Sequence, residues 1–199
     1  PLDDPLVREA FVKGADLDAI INAIYSGAFD RAQAPLSSAS NFADTDSLSG
    51  YRFDIDEANS LLDEAGWTER NEEGVRVKDG TPLTVRAVSG APYVRESRDQ
   101  LNLAIGAALK QNIGLDYQFQ IEDTGTESAR TAANDYEVFD NSYGGADPAT
   151  GVDLLYSSDP ARGFIARGKY QDPALDAAVD QGRFTTDTAE RQQAYSELQ

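Results

Sequence analysis

The sequence predicts an α/β fold with a mostly parallel sheet flanked by helices. Residues 83–88 and 115–121 alternate apolar and polar side chains, which is typical of strands with one buried face. Residues 94–112 lie between them and carry an apolar stripe at helical spacing. A strand, a long helix and a second strand in this order predict a right-handed βαβ unit. We therefore expect the two strands to lie parallel in one sheet, with the helix covering one face.

Two short helices are predicted at the N-terminus. Asp4 precedes Pro5 and an apolar pattern that ends at Gly14, and Asp16 is in the position of an N-cap before a second pattern. Residues 28–53 are rich in Ala, Ser and Asp and show no sustained periodicity. They are therefore predicted to form a long surface loop.

A third helix and a hairpin are predicted next. Asp56 is the expected N-cap of the helix, Gly66 the residue that ends it, and Trp67 a packing anchor beyond it. Residues 75–88 alternate on both sides of Asp79-Gly80, a dipeptide suited to a tight turn. This pattern predicts that residues 83–88 form the second strand of a hairpin.

The C-terminal part is predicted to continue the α/β pattern. Residues 127–133 are expected to form a helix and residues 137–139 a short strand. Residues 143–148 are rich in turn formers. Residues 173–181, and those from 188 to the end, form amphipathic patterns that predict two further helices.

The composition excludes several chemistries. The chain has 199 residues, a formal net charge of -18, no His and no Cys. Ser-His and Cys-His nucleophile pairs, thiolate zinc sites and His-ligated metals are therefore excluded, and we expect neither a metal nor a cofactor. The negative charge and the absence of a basic stripe argue against binding to nucleic acid. The sequence contains no run of about 18 apolar residues, so it does not predict a membrane-spanning helix.

The order of short motifs resembles that of the extracellular solute-binding proteins, family 5, which serve peptide-type ABC importers. The resemblance extends along nearly the whole chain. The motifs that carry it are Val7-Arg8-Glu9-Ala10-Phe11, Glu64-Ala65-Gly66-Trp67, Asp79-Gly80-Thr81-Pro82, Asp135-Tyr136-Glu137, Asp147-Pro148, Asp172-Pro173-Ala174-Leu175-Asp176 and Glu190-Arg191.

This resemblance implies a two-lobed clamshell of the type II periplasmic-binding-protein kind. Residues 1–199 would form most of its C-terminal lobe, truncated at both ends. The intact protein would be an extracytoplasmic, lipid-anchored and monomeric subunit that captures a solute, with a peptide as the expected ligand. Its partners would be the membrane permease subunits of the importer. It would catalyse no reaction.

The resemblance also implies ligand-binding residues. Tyr143, Gly144 and Gly145 resemble the family's cleft segment, where an aromatic side chain and exposed backbone meet the ligand. Gly144 stands where peptide binders commonly carry an acidic residue for the ligand's ammonium, so Asp147 is a substitute whose alternative role is to cap the turn before Pro148. Arg130 is either a cleft cation or a solvated helix charge.

Two other classes of function stay open at this point. An acid/base enzyme such as a glycosidase would need two carboxylates about 5 to 9 Å apart across one cleft, and the many acidic residues allow such a pair. A surface interaction domain would show an exposed apolar patch instead of a cleft. Affinity without turnover in the full-length protein distinguishes solute capture from the enzyme.

Overall fold

The computed structural model describes residues 1–44, 52–140, 147–159, 161–162 and 171–199. The chain divides into two units. Unit 1 consists of Pro1–Arg31 and Tyr51–Asn141, and unit 2 consists of Ala32–Gly50 and Ser142–Gln199.

The described part of unit 1 contains five helices and two small sheets. The helices are α1 (Pro5–Lys13), α2 (Leu17–Tyr25), α3 (Ile55–Glu64), α4 (Arg98–Ile113) and α5 (Thr124–Ala133). The strands are β1 (Glu69–Arg70), β2 (Arg76–Lys78), β3 (Thr81–Pro82), β4 (Thr84–Gly90), β5 (Asp116–Glu122) and β6 (Val138–Phe139).

The parallel sheet has the strand order β5-β4-β6. Val85 lies opposite Tyr117 of β5, and Ala87 lies opposite Val138 of β6. Because β4 and β5 are parallel neighbours joined through α4, the predicted βαβ unit is confirmed. The glycine of α4 at position 106 allows close packing, since a Cβ atom there would lie 3.3 Å from the Tyr117 ring.

Helix α4 begins later than the sequence predicted. Ala91–Tyr93 form a short 3-10 turn after β4, and Glu96 and Ser97 take left-handed φ angles of 52° and 55°. These two residues therefore interrupt any helix that would begin at residue 94. The helix ends at Gly114, whose φ of 69° and backbone N–H cap it as predicted.

The predicted hairpin over residues 75–88 is corrected by the structure. The turn at Asp79-Gly80 forms, but after the turn only Thr81–Pro82 pair with β2 as a strand. On its other edge β2 pairs with β1, which gives an antiparallel sheet of order β1-β2-β3. Pro82 has no N–H to extend the ladder. Leu83 then links the two sheets, because its N–H donates to Arg76 O and its carbonyl accepts from the N–H of Asp116. The next residues, Thr84–Gly90, join the parallel sheet.

The core of unit 1 is formed between α1, α3, α4 and β4. Asp4 caps α1, and Asp16 caps α2 as predicted. Helix α3 is capped by Asp54 instead of Asp56, because the Asp54 side chain accepts the N–H of Glu57 at 2.9 Å. Trp67 is buried against this core. The fully buried side chains of the core are Val7, Ala10, Ala58, Leu62, Leu83, Val85, Leu109, Ile113 and Leu115.

The described part of unit 2 contains the helices α6 (Pro148–Tyr156), α7 (Pro173–Phe184) and α8 (Thr188–Leu198). Helix α6 was not predicted, because the sequence around its start, residues 143–148, is rich in turn formers. Gly182 of α7 allows close packing on α8, since a Cβ atom there would lie 2.7 Å from the Tyr195 ring. Val152, Val179, Tyr195 and Leu198 form the core of this unit. Across the described ranges of both units, no helix has the length and apolarity to cross a membrane.

Candidate ligand-binding site

The predicted site residues fall in different parts of the chain. Tyr143, Gly144 and Gly145 lie outside the described residues. Asp147 is described and belongs to unit 2, whereas Arg130 belongs to unit 1.

Asp147 is the N-cap of α6. Its Oδ1 atom accepts the N–H of Ala149 at 2.9 Å and a hydrogen bond from Arg191 Nη2 at 2.7 Å. These hydrogen bonds, that from Arg191 foremost, hold the pKa of Asp147 below its usual value. Oδ2 makes no hydrogen bond or ion pair with the described residues. Asp147 therefore caps the helix and keeps one carboxylate oxygen available.

Arg191 supports this carboxylate from α8. Its Nε donates to the carbonyl of Gly182 at 2.8 Å, and its guanidinium lies 4.9 Å from the Phe42 ring centroid and 5.5 Å from that of Tyr195. Stacking and hydrogen bonding together fix the guanidinium, so the orientation of Asp147 is fixed as well.

A cavity of about 450 Å³ lies beside Asp147, within unit 2. Its lining comes from residues 35–42 on one side and from α6 on the other, and it includes Phe42 and Tyr156. Among the described residues that line it, Asp147 is the one charged group. Its walls are mixed, because Ser37, Ser40 and Asn41 line it together with apolar side chains. A cavity of this volume with mixed walls and one carboxylate suits a small ligand that carries a hydrogen-bond donor or a positive charge.

Arg130 of α5 is engaged by the protein itself. Nη1 donates to Glu122 Oε1 at 2.8 Å and to the side-chain oxygen of Gln120. Nε and Nη2 both donate to the carbonyl of Asp135, at 3.2 and 3.0 Å. Arg130 therefore ties the end of β5 to the chain that enters β6, and a ligand carboxylate would compete with these acceptors.

A second polar cluster lies at the carboxyl end of the parallel sheet, and the sequence did not predict it. Asp140 directly follows β6, and its Oδ2 accepts from Asn102 Nδ2 at 3.3 Å. Asn102 Oδ1 in turn accepts from the Tyr117 hydroxyl at 2.7 Å. Burial raises the pKa of Asp140, against the opposing effects of Arg98 and Asn102, and burial also raises the pKa of Tyr117. The available signal was an acidic residue directly after a short strand.

Unit 1 has a cavity of its own, of about 440 Å³, between α2 and the start of α4. Tyr25 and Phe29 line it with their rings edge to face, 5.0 Å apart, and Arg95 and Arg98 line it as well. The Tyr25 hydroxyl donates to the carbonyl of Glu96 at 2.7 Å.

Within the described ranges, no group of acidic side chains is arranged to hold a metal ion.

Solved structures share this fold. NikA from Brucella suis, in complex with Fe(III)-EDTA, is 26% identical with a TM-score of 0.82, over 98% of this chain and 39% of that one. The oligopeptide-binding protein AppA from Bacillus subtilis, in complex with a nonapeptide, is 20% identical with a TM-score of 0.76, over 98% of this chain and 39% of that one, and supports the fold alone.

Sequence relatives agree with the structural similarity. The oligopeptide-binding protein OppA of Lactococcus lactis subsp. cremoris is 26% identical over 168 residues, which are 80% of this chain and 28% of that protein. Protein XP55 of Streptomyces lividans is 28% identical over 209 residues, 98% of this chain and 35% of that protein. The chain thus spans about a third of these relatives. Residues 1–163 match the family described as bacterial extracellular solute-binding proteins, family 5 middle, and the chain belongs to that family.

Proposed function

We propose that this chain is part of the solute-binding subunit of an ABC importer and that the intact protein captures peptides without catalysis. The match of residues 1–163 to the solute-binding family is the observation that carries the proposal. The name of the oligopeptide-binding protein OppA supports a peptide as the solute. The Fe(III)-EDTA bound to NikA makes a chelated metal the second candidate solute. Binding of peptide pools by the full-length protein would favour a peptide over a chelated metal.

The same proposal covers the architecture, location and partners of the intact protein. The chain forms most of the C-terminal lobe of a clamshell, and a second lobe supplies the other half of the ligand's contacts. The protein acts outside the cytoplasm as a lipid-anchored monomer and delivers its ligand to permease subunits. Its family, which is extracellular by description, supports this location.

The proposed ligand contacts are Tyr143, Gly144, Gly145 and Asp147, with Arg130 as the candidate cation. The free Oδ2 of Asp147 and the cavity beside it support Asp147. The glycines would let the backbone approach the ligand, and Tyr143 would supply an aromatic contact. Arg130 is the weaker candidate because its guanidinium already has protein partners.

Tyr143→Ala in the full-length protein tests this site. We expect the change to weaken peptide binding by roughly 1 to 3 kcal/mol in calorimetry, while the melting temperature without ligand changes little. Tyr195→Ala is the control for a core tyrosine, because Tyr195 is fully buried, and it should lower the melting temperature instead. Unchanged affinity in folded Tyr143→Ala would place the ligand elsewhere. Chromatography of the peptide after incubation should recover it intact, whereas cleavage would contradict capture without catalysis.

A further inference from the structure

Glu127 is a largely buried residue whose carboxylate has no partner in the described structure. It lies in the first turn of α5 with 8% of its surface exposed. In the described structure its carboxylate takes part in no ion pair and accepts no hydrogen bond. Arg76, which is buried to a similar extent, is held by several acceptors. The Glu127 oxygens are not among the fully buried unpartnered atoms of the described residues, so they keep some access to solvent. The carboxylate can therefore accept a partner from outside the chain.

Two arginines on α5 and β4, the elements that carry Glu127 and Gly90, are committed elsewhere. Arg130, three residues further along α5, pairs with Glu122 and lies 3.5 Å from Asp135. Arg86, on β4, forms its ion pairs with Asp135 and Glu137.

Glu127 lies at the carboxyl end of the central strand. A Cβ atom on Gly90, the last residue of β4, would lie 3.5 Å from Glu127 Cγ and 3.0 Å from the ring of Tyr93. Glu127 and Tyr93 therefore both pack against Gly90. Ligands of open α/β sheets bind beyond the carboxyl ends of the strands, which is where these three residues meet. A carboxylate close to an aromatic ring is the combination that recognises organic cations.

We propose that Glu127 binds a positively charged group of the solute, an ammonium or a guanidinium, with the Tyr93 ring as a second contact. This inference rests on the proposed function and narrows it, because it makes the preferred peptides basic ones. Glu127 has no ion-pair or hydrogen-bond partner in the described structure, so its carboxylate is free to bind such a group.

The test uses the full-length protein and two pools of short peptides that differ in one position, which holds lysine in one pool and the uncharged norleucine in the other. The variants are Glu127→Gln, which keeps the shape of the side chain, and Glu72→Gln, which removes the same charge from an exposed turn in unit 1. Calorimetry measures affinity for each pool, and thermal unfolding without peptide measures stability.

We expect the wild type and Glu72→Gln to prefer the lysine pool about tenfold, the size of one charge-assisted hydrogen bond. Glu127→Gln should lose this preference, keep its affinity for the norleucine pool and melt at an equal or higher temperature. A lysine preference that persists in Glu127→Gln, the lack of any preference in the wild type, or a lower melting temperature with the preference retained would overturn the inference alone. Failure of the wild type to bind either pool would contradict the proposed peptide function, and the inference would fall with it.

Discussion

Replacing Arg76 tests how unit 1 is held together. The Arg76 side chain comes from β2 and lies among α3, α4 and the chain after α3. Nε donates to the Ile113 carbonyl at 3.0 Å, Nη2 donates to Asn59 Oδ1 at 2.7 Å, and Nη1 donates to Asp63 and to the carbonyl of Trp67. One side chain thus satisfies acceptors from three neighbouring segments.

The structure predicts how the stabilising effect divides among these contacts. Asp63 has 57% of its side chain exposed, so solvent screens this ion pair and it contributes about 0 to 1 kcal/mol. The carbonyls of Ile113 and Trp67 contact a buried donor, and a buried acceptor that loses its donor costs about 1 to 3 kcal/mol. Arg76→Lys keeps the charge but cannot reach several acceptors, so it should destabilise unit 1 by about 2 to 4 kcal/mol.

Urea unfolding of the chain, followed by Trp67 fluorescence, measures this loss. Trp67 is the sole tryptophan of the sequence and is buried in unit 1, so its signal reports that unit. Asp63→Asn is the matched control, and we expect it to cost no more than about 1 kcal/mol. If Asp63→Asn were as destabilising as Arg76→Lys, the ion pair and not the buried carbonyls would dominate, and this reasoning would be refuted.

Two further predictions concern packing and charge. Gly182→Ala should destabilise unit 2 by about 1 to 3 kcal/mol, because its Cβ would lie 2.7 Å from the buried Tyr195 ring. Gly151→Ala places its Cβ in open space among the described residues, so it should stabilise α6 by roughly 0.5 to 1 kcal/mol. Thermal unfolding of both variants checks the opposite signs. Burial raises the pKa of Glu137, but hydrogen bonds from the Arg86 side chain and backbone outweigh it and leave the pKa below its ordinary 4.5. Glu137 therefore contributes stability that is present above pH 4.5 and is lost as the pH falls through the lower folded pKa. Glu137→Gln should lower the free energy of unfolding at neutral pH, and this difference from the wild type should shrink in acid. Urea titrations at several pH values measure the difference.

The fold was largely readable from local patterns. The alternation and periodicity around α4 predicted the parallel βαβ unit, because apolar spacing directly reports which face of an element is buried. The hairpin prediction failed where local alternation could not reveal that Leu83 bonds to Arg76 and Asp116 and so changes sheet. Helix α6 was not predicted because it contains the turn formers Pro148 and Gly151. The hydrogen bond from Arg191 to its N-cap Asp147 comes from a helix distant in sequence, which local patterns do not report.

The candidate site was less readable than the fold. Asp147 was identified through family resemblance, and its structural role as a cap follows from its place before Pro148. The burial of Glu127 had no signal in the sequence, because a glutamate in the first turn of a helix is usually exposed and favoured there by the helix dipole. Its environment depends on Gly90 and Tyr93, which are distant in sequence and come close through the order of strands in the sheet.

The central claim is that the intact protein captures a solute and does not transform it. Native mass spectrometry of the full-length protein, purified from its host without denaturation, tests this claim most directly. We predict a one-to-one complex whose extra mass is released on denaturation and is identified by fragmentation as an intact peptide. Protein that carries no solute and forms no complex with added peptide pools, or that converts those peptides to smaller products, would contradict the account.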